Sequence, residues 1–179
     1  RNITRPLDKL DKAAQKIGAG ERTRVDVESD DEIGRLATTF NNMVDAIVER
    51  EDRISHIALH DALTGLPNRK YYREEVDIAL KRCADDEILS VFYIDLDNFK
   101  SVNDTLGHPI GDELLRAATG RMTEVLGDHQ LARLGGDEFA VLIRNAGNAD
   151  AVAAVANKLE KCFQRSFQID GHVLPTTIS

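Results

Sequence analysis

The sequence predicts an α+β protein whose first third is purely helical. Three observations carry that expectation. Apolar residues from Ile33 to Ile57 recur at strict alternating spacings of three and four, which is a helical heptad and not a strand period. Ile88-Leu89-Ser90-Val91-Phe92-Tyr93-Ile94 is a short apolar run rich in β-branched and aromatic residues, the mark of a buried strand. Finally, Leu131–Leu134 and Phe139–Ile143 are apolar runs flanking Gly135-Gly136-Asp137-Glu138, which reads as a β-hairpin.

The first helix is expected over 5–17, with Leu7, Leu10, Ala14 and Ile17 on one stripe and Pro6 in the first turn, where proline is tolerated. Gly18-Ala19-Gly20 stops it. A polar connector with alternating Val25 and Val27 leads to the acidic run Asp30-Asp31-Glu32. The second helix then carries Ile33, Leu36, Phe40, Met43, Ile47, Ile54 and Ile57 at a and d, with Arg50 the one seam position that is not apolar. A strict heptad buries its stripe against other helices in a left-handed supercoil. Two helices from each of two chains satisfy it as a parallel bundle, a monomeric helical hairpin being the alternative.

His60-Asp61-Ala62-Leu63-Thr64-Gly65-Leu66-Pro67-Asn68-Arg69 breaks the helical period and marks a domain boundary. A helix is expected at about 69–84, then the buried strand, ending in Asp95-Leu96-Asp97-Asn98-Phe99-Lys100. Asn103–His108 turns the chain into a helix at about 110–126. After the hairpin come a helix at about 149–165 and a last strand at about 173–178. This order is a split β-α-β unit with an antiparallel partner, which lays the first strand beside the hairpin and brings Asp95 towards Asp137.

Composition narrows the function. The chain has 179 residues, 42% hydrophobic and 30% charged, with a net charge of −8. Residues 1–57 hold 10 basic and 12 acidic side chains against 13 and 19 in the remainder, so neither part has the basic excess of a nucleic-acid binder. An acidic protein that handles a polyanion needs a metal to offset repulsion. Cys83 and Cys162 lack metal-ligand spacing and read as free buried thiols. No apolar run approaches the ~18 residues of a membrane span. The chain begins at Arg1 and is expected to be a piece of something longer.

The candidate site is built from Asp95, Asp97, Asp137 and Glu138, four carboxylates that the topology sends to one place. Crowded together, some would stay protonated, and a divalent cation such as magnesium removes that problem with one or two carboxylates, water and substrate phosphates. Lys100 supplies a point charge for phosphate oxygens. Asn103 and Asp112 can read the amide and amine edges of a base, with His108 near. Gly135 and Gly136 allow positive φ and close approach of a ligand. Each has a plainer reading: Asp97 as a turn cap, His108 as a loop histidine, Asp112 as a helix cap, Gly-Gly-Asp-Glu as a polar hairpin tip.

Two resemblances attach to these residues. Arg5-Pro6-Leu7, Asp31-Glu32-Ile33-Gly34 and Phe40-Asn41-Asn42-Met43 resemble a HAMP domain over residues 1–50. That resemblance implies a dimeric parallel four-helix coiled coil just inside the bacterial inner membrane, after an upstream transmembrane sensor segment, with 51–60 as a helical linker. Asp61–Arg69, Asp95–Lys100, Asn103–His108, Gly111-Asp112 and Arg133–Phe139 resemble a GGDEF domain, the catalytic module of diguanylate cyclases, over 61–179. It implies a fold like the nucleotidyl cyclase and polymerase palm, and condensation of two GTP into cyclic di-GMP and two pyrophosphates by a homodimer. By motif position, Asp95, Leu96 (through its carbonyl), Asp137 and Glu138 would hold Mg2+ or Mn2+. Asp137 would draw the proton from the attacking hydroxyl, and Lys100 would stabilise phosphate charge. Asn103, His108, Asp112, Gly135 and Gly136 would bind substrate. The resemblance also implies further strands and a helix after Ser179. The family's Arg-x-x-Asp feedback motif is replaced by Leu126-Gly127-Asp128-His129. A GTP-binding module regulating a downstream cyclic di-GMP phosphodiesterase is the alternative function.

Overall fold

A computed structural model describes residues 4–26, 31–84, 87–144 and 146–179, so Val27 and Asp30 lie outside the described residues. The chain divides into two units, Arg1–Ala58 and Leu59–Ser179. Each is built differently.

In the first unit, α1 (Thr4–Gly18) and α2 (Glu32–Leu59) are joined by an extended connector. Asp31 caps α2, its carboxylate accepting the Ile33 and Gly34 N–H groups. Asn41 fixes the connector: its amide accepts from Val25 N–H and donates to Val25 C=O, both at 2.9 Å. Val25 is thereby buried with Leu10, Ala13 and Ala37, and Phe40 packs on them. The buried positions of α2 are Gly34, Ala37 and Val44. These are not the a/d seam. Leu7, Leu36, Met43, Ile47, Ile54 and Ile57 stay exposed, the last two at 61% and 66%. On α1 the packed positions are Leu10, which the heptad includes, and Ala13, where it favours Ala14.

The second unit starts with a tight loop. Asn68 N–H donates to Leu59 C=O and Asp61 N–H to Leu66 C=O. Asn68 also caps α3 (Arg69–Arg82), accepting from the Lys70 and Tyr71 N–H groups. The central sheet has the order β1-β3-β2, where β1 is Ser90–Asp95, β2 Gln130–Gly135 and β3 Glu138–Ile143, all antiparallel neighbours. Side chains alternate across it as the pleat requires. Phe139, Val141 and Ile143 face α5 (His108–Leu126) and α6 (Ala149–Phe163), packing with Leu114, Met122 and Phe163 in the main core. Ala140 and Leu142 face Tyr72 and Ala79 of α3. The Tyr72 hydroxyl donates to Val141 C=O, and burial, with a smaller effect from Tyr93, pushes its pKa up to about 12.

Two elements depart from the sequence reading. Asn103–Leu106 does not simply turn the chain: Phe99–Leu106 is a helix, α4, entered through Asn98 in the left-handed region (φ 64°). The break lies at Gly107 alone (φ 89°), which separates α4 from α5. The expected strand at 173–178 is instead the end of a small hairpin, β4 (Phe167–Ile169) and β5 (His172–Leu174). Asp170 and Gly171 both take positive φ at its tip, as an Asp-Gly turn does. Beyond it, Ser179 exchanges backbone hydrogen bonds with Asp95, and Ile178 bridges Leu96, lining the outer edge of β1. Among the described residues both cysteines are free and half-buried, and no helix is long and apolar enough to cross a membrane.

Candidate active site

Strand register brings the acidic residues together. Asp95 is the last residue of β1 and sits opposite Glu138, the first of β3. Leu96 N–H reaches across to Asp137 C=O at 3.3 Å. The turn between β2 and β3 is held by Gly135 (φ 141°) and Gly136 (φ 56°), conformations that a side chain would strain. Asp95 feels its surroundings: desolvation first, then the charges of Asp137, Asp97 and Glu138, raise its pKa above the ordinary carboxylate value.

The four carboxylates are not equivalent. Asp97 is tied to the C-terminal segment, accepting from the Thr177 hydroxyl while its N–H donates to Thr177 C=O. Glu138 accepts from Arg69 Nη2 at 2.8 Å. Among the described residues no three acidic, histidine or cysteine side chains converge as a metal cage. Asp95 and Asp137 accept no such side-chain bond among those found for the described residues, and the Leu96 carbonyl beside them accepts from Phe99 N–H. Two carboxylates and a carbonyl, all oxygen and mutually repelling, fit a magnesium-like ion that takes the rest of its shell from water and phosphate.

The remaining predicted residues lie on α4 and α5. Lys100 is exposed in the first turn of α4, three residues after Asp97. Asn103 is held against Gly111 so closely that a Cβ there would stand 2.0 Å from Asn103 Oδ1. That oxygen is buried and has no hydrogen-bond partner among the described residues. A buried acceptor without a donor costs free energy and needs a reason. His108 is exposed at the start of α5. Asp112 lies inside α5, so it does not cap that helix, and it lines a hollow of about 960 Å3 with Arg116 and Asp170. Asp95 and Glu138 line a different cleft, of about 340 Å3, with Arg69, Tyr93 and Leu134.

Sequence reasoning gave no role to the groups that hold the turn. Arg133 donates through Nε and Nη2 to Gly136 C=O, at 3.0 and 2.7 Å, and through Nη1 to Asp61 at 2.8 Å. The Arg133 and Asp61 side chains are 10% and 24% exposed. Burial opposes the Asp61 charge, but hydrogen bonds from Thr64 and Arg133 outweigh it and hold the carboxyl below its ordinary pKa. The available signal was an arginine between Ala132 and Leu134 inside an apolar strand, where a charge needs a partner.

Two family models match the chain. The family described as diguanylate cyclase, GGDEF domain, matches residues 58–179, and the HAMP domain family matches 1–49. Diguanylate cyclase TpbB of Pseudomonas aeruginosa (strain UCBPP-PA14) is 35% identical over 192 aligned positions, covering 100% of this chain and 44% of that protein. Biofilm architecture maintenance protein MbaA of Vibrio cholerae is 37% identical over 152, covering 80% and 19%. The chain thus spans less than half the length of these curated relatives. Among solved structures, the GGDEF domain of TpbB superposes with a TM-score of 0.64 at 36% identity, covering 67% of this chain and 72% of that one. The coiled coil and GGDEF domain of DgcB from Caulobacter crescentus, in complex with c-di-GMP, gives 0.72 at 27% identity, covering 82% and 78%.

Proposed function

We propose a function on the premise that this chain belongs to the GGDEF domain family of diguanylate cyclases: it condenses two GTP into cyclic di-GMP and two pyrophosphates. The observation that carries the proposal is the register placing Asp95 and Leu96 beside Asp137 at the Gly-Gly turn. Asp95, Asp137 and the Leu96 carbonyl would hold Mg2+ or Mn2+, with Glu138 available to a second ion. Bound there, the ion supplies charge neutralisation at the reacting phosphate oxygens.

The chain's own residues supply position and proton transfer. Asp137 takes the proton of the attacking 3′-hydroxyl. Lys100, on the first turn of α4, balances charge on the phosphates. The orphaned Asn103 oxygen is an acceptor waiting for a donor, which a guanine ring N–H or amine provides, and Asp112 and His108 complete recognition on α5. Gly135 and Gly136 let the nucleotide approach the backbone.

Because each domain would hold one GTP, the product requires two domains facing each other. The exposed a/d residues of α2 support a homodimer through the HAMP helices and through 51–60 as a helical linker. That arrangement would gate turnover and place the parent protein on the cytoplasmic side of the bacterial inner membrane, after a transmembrane sensor segment.

The test is incubation of the chain with GTP and Mg2+ and chromatographic separation of nucleotides, beside Asp137→Ala. Cyclic di-GMP from the first and none from the second is expected. GTP bound but unconsumed overturns the cyclase reading in favour of a regulatory GTP module.

A further inference from the structure

The turn that carries Asp137 is gripped from outside by one arginine that none of the roles above uses. β2 and β3 shift register between Arg133 and Gly135, leaving Leu134 as a bulge. Arg69 Nε donates to the carbonyl of that bulged Leu134 at 3.1 Å, and Arg69 Nη2 donates to Glu138 Oε2 at 2.8 Å. One guanidinium therefore spans the Gly-Gly turn from the residue before it to the residue after it. Arg69 is the first residue of α3, positioned by the Asn68 cap. The fork suits this two-point grip, which a lysine ammonium could not reproduce.

We infer that Arg69 is a positioning residue that holds Glu138 against its own turn and so competes with a divalent cation for that carboxylate. The inference rests on the reading of this site as a divalent-metal site. Three features support it. Glu138 lies directly across from Asp95, close enough to raise its pKa, so it is within electrostatic reach of any ion there. Its Oε2 is held by a cation, so a metal that takes that oxygen displaces the Arg69 bond. The two side chains are 63% and 56% exposed, which makes this a weak latch that a ligand can open, since exposed pairs shift a competing equilibrium by only about two- to fivefold. A site latched in this way takes its cation more weakly until nucleotide phosphates add their own oxygens.

The experiment is titration of the whole chain with Mn2+ without nucleotide, following free Mn2+ by electron paramagnetic resonance. Arg69→Gln is expected to bind Mn2+ about two- to fivefold more tightly than wild type. In a Glu138→Gln background the same change is expected to have no effect, which separates release of the carboxylate from simple removal of a positive charge. Should the glutamine variant unfold, Arg69→Lys is read instead, with a smaller shift in the same direction. Unchanged or weaker Mn2+ binding on losing Arg69, or an equal gain in both backgrounds, overturns the inference. Asp95→Asn is the control for the underlying reading. If it leaves wild-type Mn2+ affinity unchanged, the metal reading falls and this inference with it. If it abolishes binding while Arg69→Gln shifts nothing, only the inference falls.

Discussion

The two units of this chain treat their apolar residues in opposite ways. In Leu59–Ser179 the large side chains are inside: Phe139, Leu114, Met122 and Phe167 are at most 1% exposed. In Arg1–Ala58 the interior is Leu10, Ala13, Val25 and Ala37, while the larger Leu36, Met43, Ile47, Ile54 and Ile57 are outside. The difference teaches that one unit buries its largest apolar residues within its own chain and the other leaves them at its surface. Burial of apolar area is what stabilises a fold, and a helical pair that leaves its best residues in water has not used them.

The sharpest way to break that comparison is to empty the second unit's core. Phe139→Ala should cost about 3–5 kcal/mol by cavity formation, read as a lower midpoint in urea with an unchanged slope. A smaller loss would mean that the sheet and α5 collapse onto the gap. Next comes the lock behind the turn. Arg133→Ala strands a mostly buried Asp61 carboxylate and frees the Gly136 carbonyl, and should cost about 3 kcal/mol. Its pH signature has a definite sign. Because the Asp61 pKa is lowered in the fold, its contribution is complete above the ordinary carboxylate value and is lost as pH falls through the folded value. Acid unfolding of Asp61→Asn should lack that component. Smaller again is Gly111→Ala, whose Cβ would meet Asn103 Oδ1 at 2.0 Å. Asn103 must move, at about 1–3 kcal/mol, and the Michaelis constant for GTP should rise more than the turnover falls.

Much of this was legible in the sequence, for identifiable reasons. β1, the hairpin and the approach of Asp95 to Asp137 follow from apolar runs, turn residues and the rules of strand connection, all local or topological. The β4–β5 hairpin is equally local, signalled by Asp170-Gly171 between Phe167-Gln168-Ile169 and His172-Val173-Leu174, though its second arm alone reads as one strand. α4 was obscured because Asn103, Asp104 and Thr105 favour turns, while Phe99, Val102 and Leu106 supply only a short apolar face. Beyond reach were the pairings of Arg69 with Glu138, Arg133 with Asp61 and Asp97 with Thr177. They join residues 69, 72 and 80 positions apart. No pattern within one element specifies such partners.

The heptad of α2 offers the finest test of the opening contrast. Within one chain Asn41 clamps the connector on a stripe one position away from the a/d seam, so both faces can serve together. The inner stripe packs against α1 and the connector, and the outer one is exposed. Ile54→Ser removes a methyl-rich side chain from water in the monomer, and its unfolding free energy should change by no more than about 0.5 kcal/mol. In a dimer the same change puts a hydroxyl into a knobs-into-holes layer. Light scattering across a concentration series should therefore show a weaker dimer while the urea midpoint of the second unit stays put. If the midpoint falls instead, Ile54 packs within its own chain. If neither measurement moves, the exposed seam is solvent-facing surface and the two units differ less than their sequences suggest.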